Sequence, residues 1–219
     1  LKDRLMEYRE LGAGFTKWRA VFPISDRTPT QYGIRANANA LARFAALSQE
    51  AGFVPIVEPE VLMDGNHDIQ RCEAVTTEVL HQVFDALHEA RVYLEGSLLK
   101  PNMVLAGAES PQQASADEIA RATVRTLRRT VPAAVPGIVF LSGGQSAVEA
   151  TERLNAMNAI GPHPWELSFS YGRALQEPVL AAWKGKDGNI DEAQKNFYHR
   201  AYMNGLARSG EYSSEFEEK

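Results

Sequence analysis

The stretch VPIVEPE, Val54–Glu60, carries valine, isoleucine or proline at odd and even positions alike before it reaches a carboxylate. A strand with one wet face alternates apolar and polar residues. One covered on both faces does not, so this run predicts a strand, Phe53–Glu58, inside a parallel sheet. Four more runs share the pattern: Gly14–Phe22, Arg91–Leu99, Gly137–Ser142 and Leu167–Arg173. Helical patterns separate them at Gln31–Ala51, His67–Ala90, Ala116–Val131, Ser146–Ile160 and Gln176–Lys184. A further helix over Leu1–Leu11 is expected to bury a stripe of Leu1, Leu5, Tyr8 and Leu11. A last helix, Ile190–Ser209, closes one domain over residues 1–209, and the polar tail 210–219 is expected to fray.

Strict alternation of strand and helix predicts parallel strands joined by crossover helices. Lys17, Glu58, Lys100, Ser142 and Arg173 fall at or near the ends of the five strands, 41, 42, 42 and 31 positions apart. In parallel α/β folds those ends share one rim, and function collects there. Two architectures fit: a (β/α)8 barrel and a doubly wound nucleotide-binding sheet. The second calls for a glycine-rich phosphate turn after an early strand, and neither GxGxxG nor GxxxxGK[ST] occurs. The barrel is the expected fold.

The bulk numbers exclude several function classes. With 44% hydrophobic and 23% charged residues in 219, the chain has enough apolar content for a sizeable core. A net charge of −5 argues against a nucleic-acid binder. No apolar run reaches the roughly 18 residues of a membrane span, and no signal-peptide pattern is present; the cytoplasm is the expected compartment. Cys72 is the only cysteine, which leaves no intrachain disulfide or cysteine-based metal site. The five histidines form no HExxH-type cluster, so neither a metal nor another cofactor is expected.

Three segments carry the candidate chemistry. Lys17 and Arg19 lie two apart in a strand and share one face, inside a run whose other residues call for burial. They are either surface charges or two cations lining an anion-receiving barrel mouth. Glu58 and Glu60 end the next strand, either as ion-pair partners of Lys17 and Arg19 or as a general acid/base. Lys100 follows the apolar run of YLEGSLLKPNM and precedes Pro101. It either snorkels outward or pairs with Glu58, or it is an amine nucleophile. A lysine serves as a nucleophile near neutrality only once its pKa falls from about 10.4 towards 7–8. Burial and a second cation such as Lys17 supply that shift.

FLSGGQS, Phe140–Ser146, and FSYGR, Phe169–Arg173, are glycine-containing turns on the last two strands. Backbone N–H groups in such turns face oxyanions, and an arginine grips phosphate bidentately. Paired turns on consecutive final strands match the phosphate site of many (β/α)8 barrels. Together the residues predict amine chemistry on a phosphorylated carbonyl compound.

The segments GFTKWR, VPIVEPEVL, DGNHD, YLEGSLLKPNMV, LRRTVPAAVPGIVFLSGGQS, LNAMN and LSFSYGRALQ, in this order, resemble class I Schiff-base fructose-1,6-bisphosphate aldolases over nearly the whole chain. The resemblance implies reversible cleavage of fructose 1,6-bisphosphate to triose phosphates in glycolysis and gluconeogenesis, by a cytoplasmic homotetramer. It implies Lys100 as the Schiff-base lysine, Glu58 as acid/base, Glu60 as the carboxylate tuning the lysines, and Lys17 near the C4 hydroxyl. Arg19 would lie on the second-phosphate side. Ser142, Gly143, Gly144, Ser170, Gly172 and Arg173 would form the C1-phosphate pocket. The tail lacks the terminal tyrosine of animal members, which points to a bacterial-type enzyme.

The family pattern also includes an aspartate ending the first barrel strand and a lysine ending the third, and neither has a counterpart here. Eight units of about 42 residues need roughly 330. The chain starts on Leu1 rather than methionine, so its strands are expected to be strands four to eight, with three units upstream or supplied by another chain. Two other readings remain: a different Schiff-base lyase with one phosphate site, and an inactive aldolase fragment with a scaffold role.

Overall fold

The computed structural model describes residues 1–218; the end of the tail, Lys219, lies outside them. Helix α1, Lys2–Glu10, leads into strand β1, Phe15–Phe22. Then come α2 (Gln31–Glu50), β2 (Val54–Val61), α3 (Ile69–Glu89), β3 (Leu98–Leu99), α4 (Ala116–Thr130), β4 (Gly137–Phe140), α5 (Ala147–Ile160), β5 (Glu166–Phe169), α6 (Arg173–Trp183) and α7 (Ile190–Ser209). All four strand pairs are parallel, in the order β1-β2-β3-β4-β5.

That order never reverses, and the helices form one layer: α2 packs on α3, α3 on α4, α4 on α5, and α5 on α7. A doubly wound sheet reverses its strand order and carries helices on both faces. The architecture is therefore an arc of a (β/α)8 barrel, open along the outer edges of β1 and β5. The core lies between sheet and helices, where Leu41, Leu80, Leu127, Ile138, Phe140 and Leu154 are almost wholly buried. Among the described residues, no helix is long and apolar enough to cross a membrane.

The helices begin where their caps allow. Thr30, Asp68, Ser115 and Ser146 each accept a hydrogen bond from the third residue of their helix. At α4 and α5 the third-position glutamates, Glu118 and Glu149, return a bond to complete a capping box.

Four expectations need correction. The strand expected over Arg91–Leu99 shrinks to Leu98–Leu99. Arg91 takes a left-handed φ of 56°, a 3-10 turn occupies Leu94–Gly96, and the Gln49 amide binds both the N–H and the C=O of Tyr93 in place of a strand partner. In α1 only Leu5 is buried, against Ala51 and Phe53, while Leu1, Tyr8 and Leu11 face solvent. The run around Lys17 is half exposed rather than buried: Phe15, Trp18 and Val21 are all open, because β1 is an edge strand.

The tail does not fray either. Tyr212 is buried, Phe216 packs on the core, and Ser214–Glu218 form a 3-10 helix. Glu217 anchors this segment by accepting hydrogen bonds from Arg200, His199 and Tyr212. Burial pushes the Glu217 carboxyl up, but the hydrogen bonds from Arg200, His199 and Tyr212 outweigh it and hold the group below its usual range.

Candidate active site

Residues of one parity in β1 and β2 point away from the helix layer, and the charged residues use that parity. Register sets Arg19 opposite Glu58 and Val21 opposite Glu60. The ion pairs run along the diagonals, Lys17 to Glu58 and Arg19 to Glu60. Lys17 Nζ lies 2.7 Å from Glu58 Oε2, and Lys100 Nζ lies 3.3 Å from Glu58 Oε1. A single buried carboxylate thus holds one ammonium on each oxygen. Arg19 Nε donates to Glu60 Oε2 at 2.5 Å. This bond pushes the guanidinium above its usual value against a smaller desolvation effect.

The levels differ from the expected rim. Lys17 is the third residue of an eight-residue strand and Glu58 the fifth, so both sit inside their strands rather than at the ends. Lys100 alone directly follows its strand, one residue beyond the Val57–Leu99 pair and so level with Glu58. The ion-pair reading of Glu58 holds: it pairs with Lys17 and with Lys100.

A second cluster lies beside the first. A cavity of about 220 Å3 is lined by Arg19, Glu60, Met63, Gly143, Gly144 and Arg173, among others. Gly143 and Gly144 take φ values of 56° and 82°, a conformation that side chains resist. A Cβ on Gly144 would come within 3.3 Å of Met63 Sδ and 3.7 Å of Arg173 Nη2, so the bare glycine leaves room for the guanidinium.

Helix α6 begins at Arg173, three residues earlier than expected, with no side-chain cap and no acidic residue in its first turn. FSYGR therefore ends in a helix N-terminus, where a cationic side chain and the positive end of the helix dipole coincide. Helix α5 differs, because its capping box puts the Glu149 carboxylate at its own N-terminus.

The other expected phosphate residues sit around this cavity, not in its lining. Ser142 is buried, and its carbonyl accepts from the Gln145 backbone and from Gln145 Nε2. Ser170 donates its N–H to Phe140, and the Gly172 carbonyl accepts from Leu175 and Gln176. Sequence reasoning missed the supports. Gln145 is clamped by Arg153 Nη1 at 2.8 Å. Tyr171 holds the second turn against α5 by donating to the Ala150 carbonyl, and burial pushes its phenol far above the usual value. Asn102 ties the segment after Lys100 to β2. Burial among core residues was the only signal for these, and a linear motif does not display it.

Among the described residues, no group of three or more histidine, cysteine, aspartate or glutamate side chains is arranged to hold a metal ion. Cys72 is buried in α3, and desolvation raises its thiol pKa, which suits core packing rather than nucleophilic chemistry.

The family model described as glycolytic fructose-bisphosphate aldolase class-I matches residues 1–219. The chain belongs to the class-I fructose-bisphosphate aldolase family. Among curated relatives, fructose-bisphosphate aldolase B of Gallus gallus is 58% identical over 213 residues, which cover 97% of this chain and 58% of that protein. Fructose-bisphosphate aldolase of Dictyostelium discoideum is 53% identical over 217 residues, covering 98% of this chain and 61% of that one. A solved structure of the Plasmodium falciparum aldolase, in complex with TRAP and a small molecule inhibitor, superposes with a TM-score of 0.96 at 52% identity. The match covers 97% of this chain and 62% of that one. The chain thus spans about three fifths of the length of these relatives.

Proposed function

We propose that the protein catalyses reversible aldol cleavage of fructose 1,6-bisphosphate to dihydroxyacetone phosphate and glyceraldehyde 3-phosphate through an imine on Lys100, the class I aldolase reaction (EC 4.1.2.13). The observation that carries this reading is the buried Glu58 carboxylate, with Lys100 at 3.3 Å and Lys17 at 2.7 Å on its two oxygens. An amine nucleophile beside a proton-transfer group is what imine chemistry requires.

The neutral Lys100 amine adds to the C2 ketone and gives a carbinolamine. Glu58, holding the proton that Lys100 gave up, delivers it to the departing hydroxyl, water leaves, and a protonated imine remains. The C4 hydroxyl then gives its proton to Glu58 as C3–C4 breaks. The bonding pair moves into the imine to form an enamine, and glyceraldehyde 3-phosphate leaves. Protonation of the enamine at C3 and hydrolysis of the imine release dihydroxyacetone phosphate and restore the amine. Lys17, on the far oxygen of Glu58, steadies the carboxylate and any oxyanion at C4. The cavity lined by Gly143, Gly144 and Arg173 supports a phosphate subsite of fixed position, which turns binding into orientation of the reacting carbon; Arg19 lines the same cavity, which favours a place beside this subsite over one at a separate second phosphate. Work in glycolysis and gluconeogenesis as a cytoplasmic homotetramer is the family's habit, and light scattering tests the assembly.

Borohydride reduction in the presence of dihydroxyacetone phosphate tests the mechanism. It is expected to add one stable triose phosphate mass to Lys100, with or without EDTA. A bare Lys100 with label elsewhere, or labelling lost to EDTA and restored by zinc, overturns it. Faster cleavage of single-phosphate sugars than of the bisphosphate would instead favour another Schiff-base lyase.

A further inference from the structure

We propose that Asn102 is a positioning residue that sets the separation between Lys100 and Glu58, a role that rests on the imine chemistry above. The pairing between β2 and β3 is short. Ile56–Leu98 and Val57–Leu99 are its two ladder pairs, and Lys100 N–H donates to the Val57 carbonyl at 2.8 Å. The next residue is Pro101, which has no N–H to continue the ladder. Yet β2 runs on to Val61, and both Glu58 and Glu60 lie in that overhanging stretch.

Asn102 closes the gap with its side chain. Its Oδ1 accepts the Val61 N–H at 2.9 Å, while Nδ2 donates to Thr76 Oγ1 on α3 at 3.2 Å and to the Met103 carbonyl at 3.0 Å. The amide can sit only one way round, since a flip would face Nδ2 against the Val61 N–H. Asn102 is 5% exposed and Thr76 2% exposed, so water cannot substitute for either partner.

The carboxylate-bearing stretch of β2 is therefore held at both ends by one three-residue segment. Lys100 grips it at Val57 and Asn102 grips it at Val61. Strand β1 pairs with the overhang on its other edge, so two anchors on this side fix both the distance and the tilt between β2 and the Lys100 segment, whereas one would leave that separation free to open. Lys100 belongs to the gripping segment and Glu58 lies between the grips, so the contact of nucleophile and proton carrier inherits that geometry. Asn102 does not line the cavity formed by Arg19, Gly143, Gly144 and Arg173, so its effect on phosphate binding should be small.

The test follows the time course of borohydride trapping at Lys100, reading rate constant and final amplitude separately, together with KM for the bisphosphate. Asn102→Leu keeps a similar volume but leaves the Val61 N–H without a partner. It is expected to slow trapping about 10- to 100-fold with amplitude preserved and KM within about threefold, because small misplacements of reacting groups cost rate rather than binding. Thr76→Val leaves Asn102 in place, loosens its amide, and is expected to slow trapping about threefold or more; it decides the matter if Asn102→Leu does not fold. A lower amplitude at an unchanged rate constant in both variants means that Asn102 serves stability alone, and overturns the proposal. Absence of label on Lys100 in the unaltered protein would instead refute the aldolase reading.

Discussion

Lys100 Nζ lies 3.3 Å from Glu58 Oε1, and the two side chains are only 10% and 4% exposed. Coulomb attraction between such groups is weakly screened, so the contact holds the lysine head group at a defined point rather than letting it snorkel to solvent. Lys17 occupies the other oxygen, which makes the cluster two cations on one anion. In the proposed reaction the proton of Lys100 passes to Glu58, which leaves Lys17 beside a neutral carboxyl. The amine is thereby freed without uncovering an unpaired carboxylate.

Glu58→Gln removes the charge between the two lysines and the group proposed to shuttle protons. Trapping at Lys100 is expected to slow about 100-fold or more. Stability is expected to fall by about 3 kcal/mol, because a largely buried lysine loses its counterion. Denaturant melts and trapping kinetics measured on one preparation check both numbers. A variant that traps at the original rate would remove Glu58 from the mechanism.

Arg173→Ala removes a cation that lines the cavity from the first residue of α6. Charge-assisted contacts to phosphate are of a size that raises KM about 10- to 100-fold on their loss. Stability should hardly change, since the side chain is exposed. Steady-state cleavage assays give the answer, and an unchanged KM would mean that the phosphate sits elsewhere.

Gly144→Ala is expected to act twice. A φ of 82° costs an L-residue about 1–2 kcal/mol. The added Cβ also approaches Met63 Sδ and Arg173 Nη2, which narrows the cavity. A raised KM, together with a melting temperature lower than that of the unaltered protein, is the expected signature. Loss of stability alone would separate the turn from the binding site.

The tail carries a pH dependence. Burial raises the Glu217 carboxyl, but hydrogen bonds from Arg200, His199 and Tyr212 outweigh it and leave the group below the usual carboxylate range. A carboxyl whose pKa is lower folded than unfolded stabilises fully above the unfolded value and loses that contribution as pH falls through the folded one. The tail is thus expected to stay docked at neutral pH and to loosen progressively as pH falls below the ordinary glutamate value of about 4.3. Hydrogen-exchange protection factors at residues 212–217, referred to the intrinsic rate at each pH, should fall on acidification, and Glu217→Gln should lower them at pH 7. Protection unchanged down to pH 3 would show that Tyr212 and Phe216 hold the tail by packing alone.

The helices were legible because their determinants are local. Ser115 and Ser146 with their third-position glutamates, and the apolar periodicity of α2 and α3, act within a few residues of the chain. The start of strand β3 was not legible. Val92–Leu94 has strand composition, but Gln49, over forty positions away, takes the backbone bonds of Tyr93. Tail docking was equally hidden, because its partners Arg200 and His199 lie on a helix whose pattern says nothing of what it receives.

The sequence by itself determined the parallel αβ alternation, and its motifs carried the family resemblance that singled out Lys100, Glu58, Lys17 and Arg173. Side-chain type and spacing record which groups are available, and the strand period records which of them share a face. Only the tertiary structure decided how they meet. Lys17 and Lys100 approach Glu58 from neighbouring strands, Arg19 takes Glu60, and Arg173 meets Gly144 at the start of α6. Those distances depend on strand register and on where the ladder stops, at Leu99 and Pro101. Register arises from packing and hydrogen bonds between segments some forty residues apart, which no local reading of the chain contains.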